Sequence, residues 1–163
     1  MNAPVRPLAI GLLALAFSAI VLGRAQAGGG HYFPPVADPL VREECGSCHL
    51  AFAPSMLPTR SWARLLGDLQ NHFGDDASVD AATAARIGDY LAANAADSGG
   101  RRYGEKLLRG VGAASSPLRI TELPKWVKEH REIRNTEWRR REIGSRANCT
   151  ACHRDAERGY YDD

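Results

Sequence analysis

Several things are scarce in this chain of 163 residues. Strand-length alternation of apolar and polar residues is absent, which excludes a sheet-based fold and leaves a mainly α one. Cysteine occurs four times, at 45, 48, 149 and 152, so no larger disulfide framework can exist. Methionine occurs twice, as Met1 and Met56. Long apolar runs reduce to one, Leu8–Leu22, too short to span a bilayer, which takes about 20 apolar residues. With Arg6 before it and Ala25–Ala27 after it, residues 1–27 have the layout of a secretory signal cleaved after Ala27. An uncleaved anchor is the alternative. Loss of the segment leaves 19 basic against 19 acidic residues, which speaks against a nucleic-acid or general polyanion binder. The expected location is the periplasm, with no stable membrane insertion after cleavage.

Charge is unevenly placed along the remaining chain. Asp75–Asp97 holds five aspartates and only Arg86, whereas Arg119–Arg146 holds nine basic and five acidic residues. Solvated helix faces account for both; a dipole that orients docking is the alternative. Asp38 and Pro39 open a helix expected to run through His49. Residues 50–59 contain two prolines and read as loop. A helix over 61–74, capped by Ser61, carries Trp62, Leu65, Leu66, Leu69, His72 and Phe73 as its stripe. Another over 78–96, capped by Ser78 or Asp80, turns Ile87, Tyr90, Leu91 and Ala95 to one side. Asp97–Gly100 marks a break, giving an N-terminal unit at 28–98 and a C-terminal unit at 99–163. A short helix follows near 101–113. The next, capped at Thr121, carries Trp126, Val127, His130 and Ile133. A last helix is expected to bear the second cysteine pair, and 157–163 to trail off.

All four cysteines fall in two Cys-x-x-Cys-His motifs, Cys45/Cys48/His49 and Cys149/Cys152/His153. A disulfide across two residues closes little chain and stabilises little. A shared zinc site usually places its pairs about 15–20 residues apart, whereas here about a hundred intervene. A thioredoxin-like pair needs a βαβ context. Cys-x-x-Cys-His is the attachment signature of c-type haem. Thiols three residues apart on a helix point the same way and reach the two vinyl groups of one porphyrin, and the adjacent imidazole binds the iron. Two motifs imply two covalently bound haem c groups.

Each iron then needs a sixth ligand. Candidates beyond residue 27 are His31, His72, His130 and Met56. His72 and His130 complete apolar stripes, and each lies 23 residues from a motif histidine. The expected pairs are His49/His72 and His130/His153, with cross-pairing as the alternative. Met56 is the rival to His72, and His31 sits in the N-terminal segment. Two histidines per iron imply low reduction potentials, since methionine raises them.

"CGSCH", "MLPTRSWARLLGDLQNHFG", "DYLAANAAD", "RIT" followed by "KEH", and "ANCTACHRDAERG" carry a resemblance to the small bacterial dihaem cytochrome c family called DHC. It covers nearly all of residues 40–161. The resemblance implies two bis-histidine haems, electron transfer rather than catalysis, and other haem proteins as partners: an SHP-type monohaem cytochrome and membrane b-type cytochromes. The first half also looks like a shortened class I cytochrome c. A small haem enzyme, a peroxidase or a sulfur-compound oxidoreductase with one open axial site, is the alternative function.

Overall fold

A computed structural model describes residues 31–162, so the secretory-signal reading of 1–27 lies outside the described residues. These residues form six short α-helices: α1 (Pro39–Gly46), α2 (Thr59–Leu66), α3 (Ala81–Asn94), α4 (Arg102–Leu107), α5 (Pro124–Glu129) and α6 (Asn135–Trp138). Single 3-10 turns link them, and no strand occurs among the described residues.

Asp38 starts α1 as expected, its Oδ1 accepting from the Leu40 and Val41 amides at 2.9 and 3.2 Å. A 3.0 Å ion pair from Asp38 to Arg86 ties α1 to α3. The helix stops at Gly46, so Cys48 and His49 leave it on a bend. Ser47 accounts for the stop. Its hydroxyl donates to the Glu44 carbonyl (3.1 Å), the acceptor a longer helix would offer to the Cys48 amide. Val41 of α1 meets Ile87 and Leu91 of α3 in a small buried cluster with Val36.

The single helix expected over 61–74 is two pieces. Gly67 closes α2, and a 3-10 turn at Leu69–Asn71 follows, with Asn71 donating to Asp68 at 2.7 Å. Glycine's weak helix preference and this local side-chain bond make the break. The chain then reverses, with Asp75 N donating to His72 O and Ala77 N to Leu69 O. His72 and Phe73 therefore leave the stripe of Trp62 and Leu65 and ride on a turn.

Residues 53–58, expected in a loop, are buried throughout. Pro54 and Pro58 lack an N–H, so this irregular stretch has fewer polar groups to satisfy. The Pro54 carbonyl accepts from Trp62 Nε1 (2.8 Å) and the Leu57 carbonyl from Ala96 N (2.9 Å). Met56 and Leu57 join Phe33, Ala53, Leu107, Leu123 and Trp126 in the larger cluster, which draws on both sides of the Asp97–Gly100 break. Gly104 lets α4 approach it. A Cβ there would stand 2.6 Å from the Ser55 carbonyl oxygen and 2.9 Å from Ala96 Cα.

No side chain within α2 or just before it caps its N-terminus, and Ser61, the expected cap, is wholly buried. Asp97 does the work from 38 residues away, accepting from the Thr59 amide and hydroxyl at 2.8 Å each. Burial pushes the Asp97 carboxyl up, but the Thr59 donors and Arg60 outweigh it and hold it below the usual carboxylate range. A depressed folded value means this contribution is complete above the unfolded pKa and disappears as pH falls through the folded one. Asp97→Ala is expected to cost about 1 kcal/mol in urea unfolding at neutral pH, as for a lost helix cap. The difference from wild type should vanish in strong acid.

Further along, α5 starts at Pro124 rather than Thr121, since proline is tolerated only where its missing N–H has no partner to lose. A 3-10 turn at Ile120–Glu122 precedes it, and Val127 faces solvent. The second motif lies on a 3-10 turn, Cys149–Ala151, not on an α-helix. The tail does not trail off. Phe33 N donates to Gly159 O (2.9 Å) and Tyr161 N to His31 O (3.2 Å), so residues 31–33 hold it in place. Gly159 has φ 87°, and a Cβ there would run into the Phe33 carbonyl.

Candidate haem-binding centres

The fold brings the four named histidines into two pairs. The imidazole centres of His49 and His72 lie 6.2 Å apart, with ring planes inclined by 20°. Those of His130 and His153 lie 6.1 Å apart, inclined by 78°. Metal–imidazole bonds run about 2.0–2.1 Å, and each ring centre lies about 1.1 Å beyond its nitrogen, so two imidazoles across one metal ion stand roughly 6.2 Å apart. Both pairs match this spacing. The donor sets therefore suit one six-coordinate iron each.

Tautomers agree with that reading. His49 Nδ1 is 2.8 Å from the Leu50 carbonyl, and His130 Nδ1 is 2.8 Å from the Trp126 carbonyl. A carbonyl only accepts, so Nδ1 carries the proton and Nε2 keeps its lone pair for a metal. His72 differs, because its Nδ1 is buried without a hydrogen-bond partner. Burial, assisted by His49 and Arg119 against the pull of Asp75, lowers its pKa.

Aromatic rings hold these imidazoles in place. Phe52 stacks on His49 at 5.1 Å between centres, and Phe73 meets His72 edge-on at 4.8 Å. Trp126 lies parallel to His130, 4.1 Å away and inclined by 13°. Tyr161, from the docked tail, meets His153 at 5.5 Å. Sequence reasoning did not assign these supports. The four-residue step from Trp126 to His130 could have flagged one, since side chains i and i+4 face each other on a helix.

Cys45 and Cys149 are partly buried, which raises both thiol pKa values, while Cys48 and Cys152 are exposed. All four thiols are free of one another. Met56 is in the larger apolar cluster, and the ring that faces His49 belongs to His72. His31 joins neither pair: it sits 3.6 Å from Glu129 and 3.4 Å from Asp162.

The profile of a family described as dihaem cytochrome c matches residues 41–161. The chain belongs to the dihaem cytochrome c family. Its cofactors are two covalently bound haem c groups, and its role is that of a haem electron carrier. The helical fold is shared with solved structures. A diheme cytochrome c from Rhodobacter sphaeroides is 46% identical, with a TM-score of 0.70, over 78% of this chain and 98% of that one. A structure of DHC purified from Rhodobacter sphaeroides is 44% identical, with a TM-score of 0.65, over 77% and 98%. A diheme cytochrome type c from Shewanella baltica is 34% identical, with a TM-score of 0.61, over 76% and 86%. No curated protein sequence matches the chain. Among the described residues of this cytochrome, no helix is long and apolar enough to cross a membrane.

Proposed function

We propose that this cytochrome is an exported, periplasmic carrier whose two haems are each ligated by two histidines, His49/His72 and His130/His153. The spacing of the imidazole pairs carries the proposal. The haems supply one-electron ferric/ferrous chemistry. The chain's own groups fix and tune it. Cys45 and Cys48 would hold one haem, and Cys149 and Cys152 the other, through thioether bonds to its two vinyl groups. His49 and His130 each donate an Nδ1–H hydrogen bond to a backbone carbonyl, which would make them stronger donors toward the metal. Two imidazoles per iron hold the potentials low.

With both axial positions closed, the protein moves electrons and does not act on small molecules. The division at residues 98/99 gives one motif to each half. Partners are other haem proteins, such as an SHP-type monohaem cytochrome or a membrane b-type cytochrome. The test is addition of carbon monoxide to the reduced holoprotein, with a potentiometric titration beside it. The visible spectrum should not change on addition, and both midpoints should fall below those of histidine/methionine cytochromes. A stoichiometric carbon monoxide shift at either haem would overturn the carrier reading in favour of a small haem enzyme.

A further inference from the structure

The chain between His130 and Cys149 carries six arginines against three glutamates, and all six arginines are exposed. The glutamates account for only half of them. Arg131 pairs with Glu132 at 3.3 Å, Arg134 with Glu137 at 3.1 Å, and Arg140 with Glu137 and Glu142 at 3.2 and 2.6 Å. Arg139 and Arg141 have no ion-pair partner among the described residues. Arg146 donates to Asn135 and lies 5.5 Å from the Trp138 ring centre. Trp138 in turn is 5.8 Å from Trp126 and 6.1 Å from His130, on which Trp126 stacks. An unbroken aromatic path thus runs from beneath this basic surface to His130.

The geometry points to this exposed segment, with Arg139 and Arg141 outside any ion pair and Arg146 beside Trp138, as the docking face for an acidic one-electron redox protein. The inference rests on the carrier reading above and adds where the exchange occurs and with what kind of partner. Uncompensated guanidinium groups recruit carboxylates and raise the encounter rate. Glutamates interleaved through the segment favour a protein over a lipid surface, which prefers an unbroken basic cluster. In the exchange the partner's centre is oxidised by one electron and the ferric iron held by His130 and His153 is reduced to ferrous, with no proton or atom moved.

The test is stopped-flow reduction of the ferric holoprotein by a reduced plant-type [2Fe–2S] ferredoxin, an acidic one-electron protein. A neutral flavin semiquinone serves as the uncharged comparison. Wild type should react with ferredoxin at a rate that falls as salt rises. Arg139→Glu/Arg141→Glu should slow that reaction about tenfold or more at low salt and remove the salt dependence. The same variant should leave the flavin rate and the ferric EPR spectrum unchanged, and Arg139→Lys/Arg141→Lys should keep most of the ferredoxin rate. An unchanged ferredoxin rate in the charge-reversed variant overturns the docking face. So does an unchanged ferredoxin rate accompanied by loss of binding to phosphatidylglycerol vesicles, or by loss of self-association in sedimentation. If wild type accepts electrons from neither reagent, it is the carrier reading that fails.

Discussion

Replacing both cysteines of the second motif, Cys149→Ala with Cys152→Ala, should melt residues 131–155 and leave the first helical unit folded. No residue from 131 to 155 is buried by the protein's own atoms. The segment holds one four-residue helix and one 3-10 turn, and most of its ion pairs are exposed and local. Such pairs contribute about 0–1 kcal/mol each, too little to offset roughly 1–2 kcal/mol of backbone entropy for every residue ordered. Apart from Trp138, which packs against Trp126, what holds the segment is the haem fixed covalently at Cys149 and Cys152. The first unit has other support. Val41, Ile87 and Leu91 are each no more than 4% exposed, and Asp38 joins α1 to α3. Hydrogen exchange should show the difference: amides of 131–155 in the one-haem variant exchange with an opening free energy near zero, while those of α1 and α3 keep their protection. Equal protection of 131–155 in the variant and wild type would mean that the chain holds this region without the haem.

That contrast also explains what the sequence made legible. Helical type was readable because periodicity is local, and Asp38 and Asp80 cap α1 and α3 as their positions suggested. The ends of helices were less so. Gly67 sits inside an otherwise good helical stripe, and only the reversal that follows reveals it as the end of α2. The burial of residues 53–58 depends on Gly104 of α4, and the cap on α2 comes from Asp97. Neither contact has a local signature. His72 and His130 were picked out by their expected helical stripes and by their equal distance from a motif histidine, and the fold sets their rings against those of His49 and His153. His72 was nevertheless placed on a helix, whereas it reaches His49 from a turn whose next residue, Phe73, has φ 56°.

The two histidine pairs should give different ferric EPR signals, and removal of one ligand should erase one signal at a time. In low-spin ferric haem each axial imidazole interacts with the iron d orbital perpendicular to its plane. Nearly parallel planes, such as the 20° of His49/His72, act on the same orbital and split the d levels, giving a rhombic spectrum. Nearly perpendicular planes, such as the 78° of His130/His153, act on both orbitals alike and leave them close in energy, giving a strongly anisotropic spectrum with one very large g value. His72→Ala is expected to remove the rhombic signal and leave the other. His130→Ala should do the reverse, producing a high-spin or water-ligated haem in each case. The affected haem should also rise in potential by on the order of a tenth of a volt or more, within the span of about 0.8 V that axial ligation commands. His130 is held by the Trp126 ring and carbonyl, so its ring plane is fixed. Trp126→Leu, which removes the ring but keeps the carbonyl, should broaden the anisotropic signal without abolishing it. Loss of the same signal in both alanine variants would mean that His72 and His130 serve one iron, and the pairing drawn from the 6.2 and 6.1 Å separations would fail.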